Sequence, residues 1–154
     1  MEDILVTTPV DLSKACIFVM IKPGFTDYTD KIIHAYTLET LEHPGWTLVG
    51  RKTKTLTLDE AKIIYERQSH CNWFNDACKY LTSDETVGLL FVRDESMSQE
   101  VFFEAEYIKN KLRTIYNAQV INAGDVATLL HSADDFEDLK REVPIYFGED
   151  VFQK

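Results

Sequence analysis

Ala15-Cys16-Ile17-Phe18-Val19-Met20-Ile21-Lys22-Pro23-Gly24 decides the reading of the fold. Its first seven residues are apolar without alternation, which predicts a strand buried on both faces. Lys22-Pro23-Gly24 ends it. Upstream, residues 1–13 read as an irregular lead-in, with Pro9 breaking any periodicity. Downstream, a helix is predicted from about Asp30 to Glu42, closed by His43-Pro44-Gly45. Trp46 to Leu56, with Thr47, Val49, Thr53 and Thr55 after the aromatic Trp46, reads as a second strand.

Thr57-x-x-Glu60 has the form of a capping box. It opens a helix with Ala61, Ile64 and Tyr65 on one face. Phe74, Ala77, Cys78 and Leu81 predict a further helix, and Thr86 to Val92 a third strand. Val101, Ala105, Ile108 and Leu112 mark an amphipathic helix. Asn122-Ala123-Gly124-Asp125 is turn chemistry, with Val126 to Leu130 as a short fourth strand. Phe136, Leu139 and Val143 define a last helix, stopped by Pro144. The order is β-α-β-α-α-β-α-β-α. With the two middle helices taken as an inserted hairpin, the frame is β-α-β-β-α-β. This predicts an α+β, ferredoxin-like fold with an antiparallel four-stranded sheet.

Composition bounds the function. The 154 residues are 45% hydrophobic and 27% charged, the balance of one folded domain. A net charge of −10 argues against nucleic acid or a polybasic membrane contact, since both need excess positive charge. Three cysteines without CxxC argue against a disulfide scaffold or structural zinc. With no signal-peptide pattern at the acidic start, the expected location is cytoplasmic. The apolar run at 15–21 is too short to span a bilayer.

Four places could carry chemistry. Lys22, at the C-terminal end of a buried strand, could serve as a point charge for phosphate or simply end the strand. His131 leaves an apolar strand where a helix begins. Imidazole suits covalent phosphoryl transfer near neutral pH. Alternatively, Ser132 or Asp134 caps that helix and His131 is incidental. Tyr65 and Trp73-Phe74 on the hairpin could stack a base or pack in the core. Lys109, Lys111 and Arg113 complement a helix dipole, and Arg113 could instead grip a phosphate. His34, His43 and His70 lie in duller settings, and the acidic run Asp134 to Glu142 reads mostly as a solvated face. No GxxxxGK[ST] is present, so a P-loop is excluded.

Ile21-Lys22-Pro23, the stretch Tyr65 to Leu81, Leu112-Arg113 and Leu129-Leu130-His131-Ser132-Ala133-Asp134 occur in the order found in nucleoside diphosphate kinases. The chain resembles that family over residues 14–148, leaving 149–154 as a C-terminal tail. The resemblance implies His131 as the nucleophile that becomes phosphohistidine, Glu142 as its orienting carboxylate, and Lys22 and Tyr65 beside the transferring phosphate. It implies Trp73 and Ala77 against the base, Arg113 on phosphate, and Thr128 where a ribose ligand sits. Implied with these are Mg²⁺ held mainly by the nucleotide phosphates, nucleoside tri- and diphosphates as substrates, and a dimer-based homo-oligomer.

The departures are equally specific. Gly24-Phe25 replaces an aspartate-glycine, and no second phosphate arginine stands near Glu100 or Val101. Thr128 replaces an asparagine. Ser132-Ala133 replaces glycine-serine, which displaces the serine that meets the glutamate. The loop before His131 is longer than usual. Three expectations follow: a kinase, a catalytically weak or inactive nucleotide-binding module, and a structural subunit. Lys109 or Lys111 is the candidate replacement for the lost arginine.

Overall fold

The computed structural model describes residues 2–116 and 128–153. The elements follow the predicted order: β1 (Lys14–Ile21), α1 (Thr29–Thr37), β2 (Thr47–Lys54), α2 (Leu58–Ile64), α3 (Phe74–Leu81), β3 (Thr86–Ser96), α4 (Gln99–Ile115), β4 (Leu130–Ser132) and α5 (Phe136–Phe147). Short 3₁₀ turns at Thr26–Tyr28 and Glu66–Gln68 precede α1 and follow α2. The sheet runs β2-β3-β1-β4, every neighbour antiparallel. With α1 and α4 as the two crossovers, this is the ferredoxin-like arrangement.

The unbroken apolar run after Lys14 in β1 has a physical cause. Its residues from Ala15 to Ile21 are all buried, because both faces of the sheet are covered. Cys16, Phe18 and Met20 join a core with residues of α2, α3 and α5. Ala15, Ile17, Val19 and Ile21 join one with residues of α1 and α4. Full burial of each large side chain stabilises the fold by about 1.5–3 kcal/mol, so β1 anchors both layers.

The capping box is as read. Thr57 Oγ1 accepts from the Glu60 amide at 3.2 Å, and Glu60 Oε1 accepts from the Thr57 amide at 2.9 Å. The ends of β1 and α1 depend on glycine. Gly24 has φ +90°, a region that side chains with a Cβ avoid, and it turns the chain out of the strand. At Gly45 an added Cβ would lie 2.1 Å from the Thr37 carbonyl oxygen, so the chain can fold back over the end of α1 only because the side chain is absent.

Three predicted boundaries are corrected. Helix α1 ends at Thr37 rather than Glu42. Past it, the Thr40 hydroxyl accepts the His43 amide at 3.0 Å and competes with helical bonding. Trp46 then pins the loop, its indole donating to Glu104 at 2.8 Å with Arg93 stacked 4.1 Å above. Pro144 does not stop α5, which runs to Phe147. The turn beyond it is held by Tyr146, whose ring packs 5.6 Å from Phe18 and whose hydroxyl meets Thr86 at 2.6 Å. Strand β4 begins at Leu130 and includes His131, so Thr128 and Leu129 precede it. The turn predicted at Asn122–Asp125, the start of that strand at 126–127 and most of the longer loop lie outside the described residues.

The segment before β1 touches the sheet and the C-terminal tail. Ile4 bridges Arg51 on the β2 edge, and Val10 bridges Phe152. No helix among the described residues is long and apolar enough to cross a membrane.

Candidate active site

Strand pairing sets the histidine. His131 lies opposite Met20, and paired residues share a face, so its ring points to the layer of α2, α3 and α5. Ser132 pairs with Val19 and points to the other layer, where its hydroxyl is buried without a partner among the described residues. It cannot reach the histidine's carboxylate. The cap of α5 is neither Ser132 nor Asp134 but Asp135, whose side chain accepts from the Asp138 amide at 2.9 Å. The capping explanation for His131 therefore falls away.

His131 Nε2 meets Glu142 Oε1 at 2.7 Å, and Glu142 is 0% exposed. Burial pushes the Glu142 carboxyl above its ordinary range, while His131 and Arg141 oppose the shift. With Nε2 donating to the carboxylate, the lone pair resides on Nδ1. Tyr65 is the hub beside this pair. Its ring stands edge-on to His131 at 5.9 Å and to Trp73 at 6.0 Å, and Lys22 Nζ lies 6.0 Å from its centroid. The Tyr65 hydroxyl is buried without a partner among the described residues, and burial raises its pKa.

The cations collect on the other side. Lys22 is buried, and its Nζ donates to Thr128 Oγ1 at 3.0 Å. Burial, then the neighbouring Arg113 and Lys109, push its ammonium down to about 7. Arg113 Nη2 donates to the Leu130 carbonyl at 2.7 Å, while its Nε is buried without a partner among the described residues. Lys109 sits one helical turn before Arg113 on α4, a spacing that puts both on one face. Burial and Arg113 also depress Lys109. Lys111 is exposed.

Two residues, one implied by the resemblance and one read from the sequence, sit in settings those readings did not indicate. Ala77 is fully buried in the core of α2, α3 and α5, so it presents no surface to a base, and packing accounts for it. Trp73, at 39% exposed, remains the aromatic open to a ligand. The acidic run is not simply a solvated face, since Asp138 is buried with Arg141 at 2.8 Å and Arg67 at 3.2 Å. Arg67 reaches Asp138 and Asp135 across elements, which spacing along the chain does not show, whereas Asp138 and Arg141 pair within α5 at i,i+3. That helical spacing, and Arg141's place next to Glu142, are the signals the sequence carries. The hairpin is tied to the sheet by the Tyr80 hydroxyl, which donates to the Pro23 carbonyl.

A cavity of about 590 Å³ lies elsewhere, lined by Arg51 but also by Asp3, Asp27 and Glu85. That acidic wall suits no phosphate, and the His131 cluster is the better anion site. No group of three His, Cys, Asp or Glu side chains among the described residues could hold a metal ion.

The nucleoside diphosphate kinase family model matches residues 16–152. The chain belongs to that family. Relatives include the nucleoside diphosphate kinases of Methanosphaera stadtmanae, 26% identical over 88% of this chain and 87% of that one, and of Hyperthermus butylicus, 26% identical over 86% and 92%. Among solved structures, the Aquifex aeolicus nucleoside diphosphate kinase superposes with a TM-score of 0.66 at 16% identity, covering 88% of this chain and 96% of that one. The Encephalitozoon cuniculi enzyme gives 0.65 at 19%, covering 91% and 93%. The structural likeness carries the fold, and the family match spans the stretch that includes Lys22, His131 and Glu142.

Proposed function

We propose that this chain is a nucleoside diphosphate kinase acting by a ping-pong route through phosphohistidine at His131. The observation that carries the reading is a histidine held by Nε2 on a buried carboxylate, beside a group of partly desolvated cations. A magnesium nucleoside triphosphate enters with its base on Trp73 and its phosphates toward Lys22, Lys109 and Arg113. Magnesium arrives as part of this substrate, because the pocket's side chains are cationic and suit phosphate oxygens.

Nδ1 attacks the γ-phosphorus in line. The bond from phosphorus to the β,γ-bridging oxygen breaks, and its electron pair leaves with the diphosphate. Glu142 stabilises the positive charge on the phosphorylated ring. In the return step a terminal oxygen of an incoming nucleoside diphosphate attacks that phosphorus, and the N–P electron pair returns to Nδ1. The protein supplies position and charge neutralisation, the main demands of phosphoryl transfer. We further read the enzyme as a cytoplasmic homo-oligomer built from dimers, in keeping with its three free thiols and its family.

Trapping the phosphoenzyme tests this. Protein mixed with γ-labelled ATP and Mg²⁺ should carry acid-labile, base-stable label that added diphosphates remove, and His131→Gln should carry none. Absence of label on folded, nucleotide-binding wild type would return the chain to the binding-module reading.

A further inference from the structure

Glu142 has a second oxygen, and its partner leads out of the site. Oε2 lies 3.4 Å from Arg141 Nη2. The same Nη2 donates to Asp138 Oδ1 at 2.8 Å, and Arg141 Nε donates to the Ile63 carbonyl at 2.8 Å. Asp138 is held in turn: Oδ2 accepts the Asp134 amide at 3.1 Å, and Arg67 Nε approaches Oδ1 at 3.2 Å. Arg67 also pairs with Asp135, the cap of α5. Ile63, Glu66 and Arg67 flank Tyr65 at the end of α2. Glu66 comes within 3.6 Å of Arg141.

One side chain thus spans three things: the carboxylate on His131, a buried aspartate of α5, and the backbone of the hairpin that carries Tyr65 and Trp73. A carboxylate gripped at one oxygen can rotate about its last torsion, whereas one gripped at both cannot. We propose that Arg141 is a positioning residue, fixing the second oxygen of Glu142 so that the carboxylate stays turned on His131, and locking that pair to the hairpin.

This rests on the reading of His131 as nucleophile only for its kinetic consequence. Its geometric content stands without it. The groups that face Glu142 are His131 on β4, Arg141 and Asp138 on α5, Tyr65 after α2, and Tyr146 from the last turn of α5. Arg141 and His131 are the cations or potential cations among them, so removal of Arg141 leaves the buried carboxylate with His131 alone. The pair should then take up a proton more readily.

The test follows the ring nitrogens of His131 by NMR in ¹⁵N-histidine-labelled protein across pH. The variants are wild type, Arg141→Gln, Arg141→Lys and Arg67→Met, each with a thermal melt. In Arg141→Gln the proton-uptake midpoint of the His131–Glu142 pair should rise by about one pH unit, the low end for losing an opposite charge at this distance. Arg141→Lys should restore part of the shift. Arg67→Met, one link further out, should move it in the same sense by less. Phosphoenzyme formation by Arg141→Gln should fall about tenfold on the acid side and recover as pH rises.

A bare structural brace predicts something else: lower melting temperatures with His131 titrating as in wild type. That result in folded Arg141→Gln would overturn the proposal. If Arg141→Gln does not fold, an unmoved midpoint in Arg67→Met overturns it instead. The titration needs no turnover, so a wild type that never takes phosphate sinks the kinase reading while the Arg141 question is still decided.

Discussion

The two sides of the His131 site handle buried charge in opposite ways. On the Glu142 side each charge meets a partner inside the chain: Glu142 the His131 ring at 2.7 Å, Arg141 the Asp138 carboxylate at 2.8 Å, and Arg67 the same carboxylate at 3.2 Å. On the Lys22 side like charges gather: burial lowers Lys22, Lys109 and Arg113, Arg113 pushes Lys22 and Lys109 down further, and Asp134 opposes the shift in Lys109 and Arg113. Burying charge is costly unless it is compensated. The first side is compensated by the fold itself and holds its geometry ready. The second gathers like charges, whose repulsion an arriving anion would relieve. In a chain of net charge −10, such a local concentration of cations points to a phosphate more firmly than the total charge points away from one.

Deleting the compensated side's histidine, the proposed nucleophile, should have the largest effect. His131→Gln should lower nucleotide exchange on the order of 10⁴-fold or more, measured with ATP and a second diphosphate. Retained exchange would separate the His131–Glu142 pair from catalysis. On the cationic side, Lys22→Met should cost roughly 10- to 150-fold in phosphoenzyme formation, the loss of one charged contact. Trp73→Ala should raise the KM for nucleotides by about 5- to 150-fold and change kcat less, because stacking binds ground and transition states alike.

Lys109→Gln should weaken triphosphate binding about tenfold while Lys111→Gln leaves it unchanged. Equal effects would remove Lys109 from the phosphate side. The smallest effect is a proton count. The Lys22 ammonium titrates at about 7 in the fold against 10.5 ordinarily, so below about pH 7 both folded and unfolded chains hold the proton, and the fold bears the full cost. Between about 7 and 10.5 the unfolded chain binds more protons, and stability contributed by this group rises with pH. Urea midpoints at pH 7 and 9 should show that slope in wild type and lose it in Lys22→Met. For the same reason nucleotide binding near pH 8 should take up protons, seen calorimetrically as a dependence on the buffer's ionisation heat.

Much of the frame was legible because it rests on local patterning. The uninterrupted apolar run of β1, the capping box at Thr57 and Glu60, and the helical spacing of Phe74, Ala77, Cys78 and Leu81 are short-range signals, and each element stands where they put it. Boundaries failed where tertiary contacts outweighed local preference. Pro144 reads as a stop, yet Tyr146 anchors the following turn on Phe18 and Thr86. The family resemblance implies Ala77 against the base, while its helical spacing implies the core, where the structure encloses it.

By itself the sequence determined the order of elements, the two-faced burial of β1 and the residue types available for phosphate chemistry, since period, turn residues and side-chain chemistry are properties of the chain as written. Only the tertiary structure decided which charges meet. The face on which His131 points, the withdrawal of Ser132 to the opposite layer, the convergence of Lys109 with Lys22 and the reach of Arg141 to Glu142 and the hairpin all depend on strand pairing and helix packing. Coulombic and hydrogen-bond energies depend on distances in space, and separation along the chain does not specify those distances until the sheet has closed.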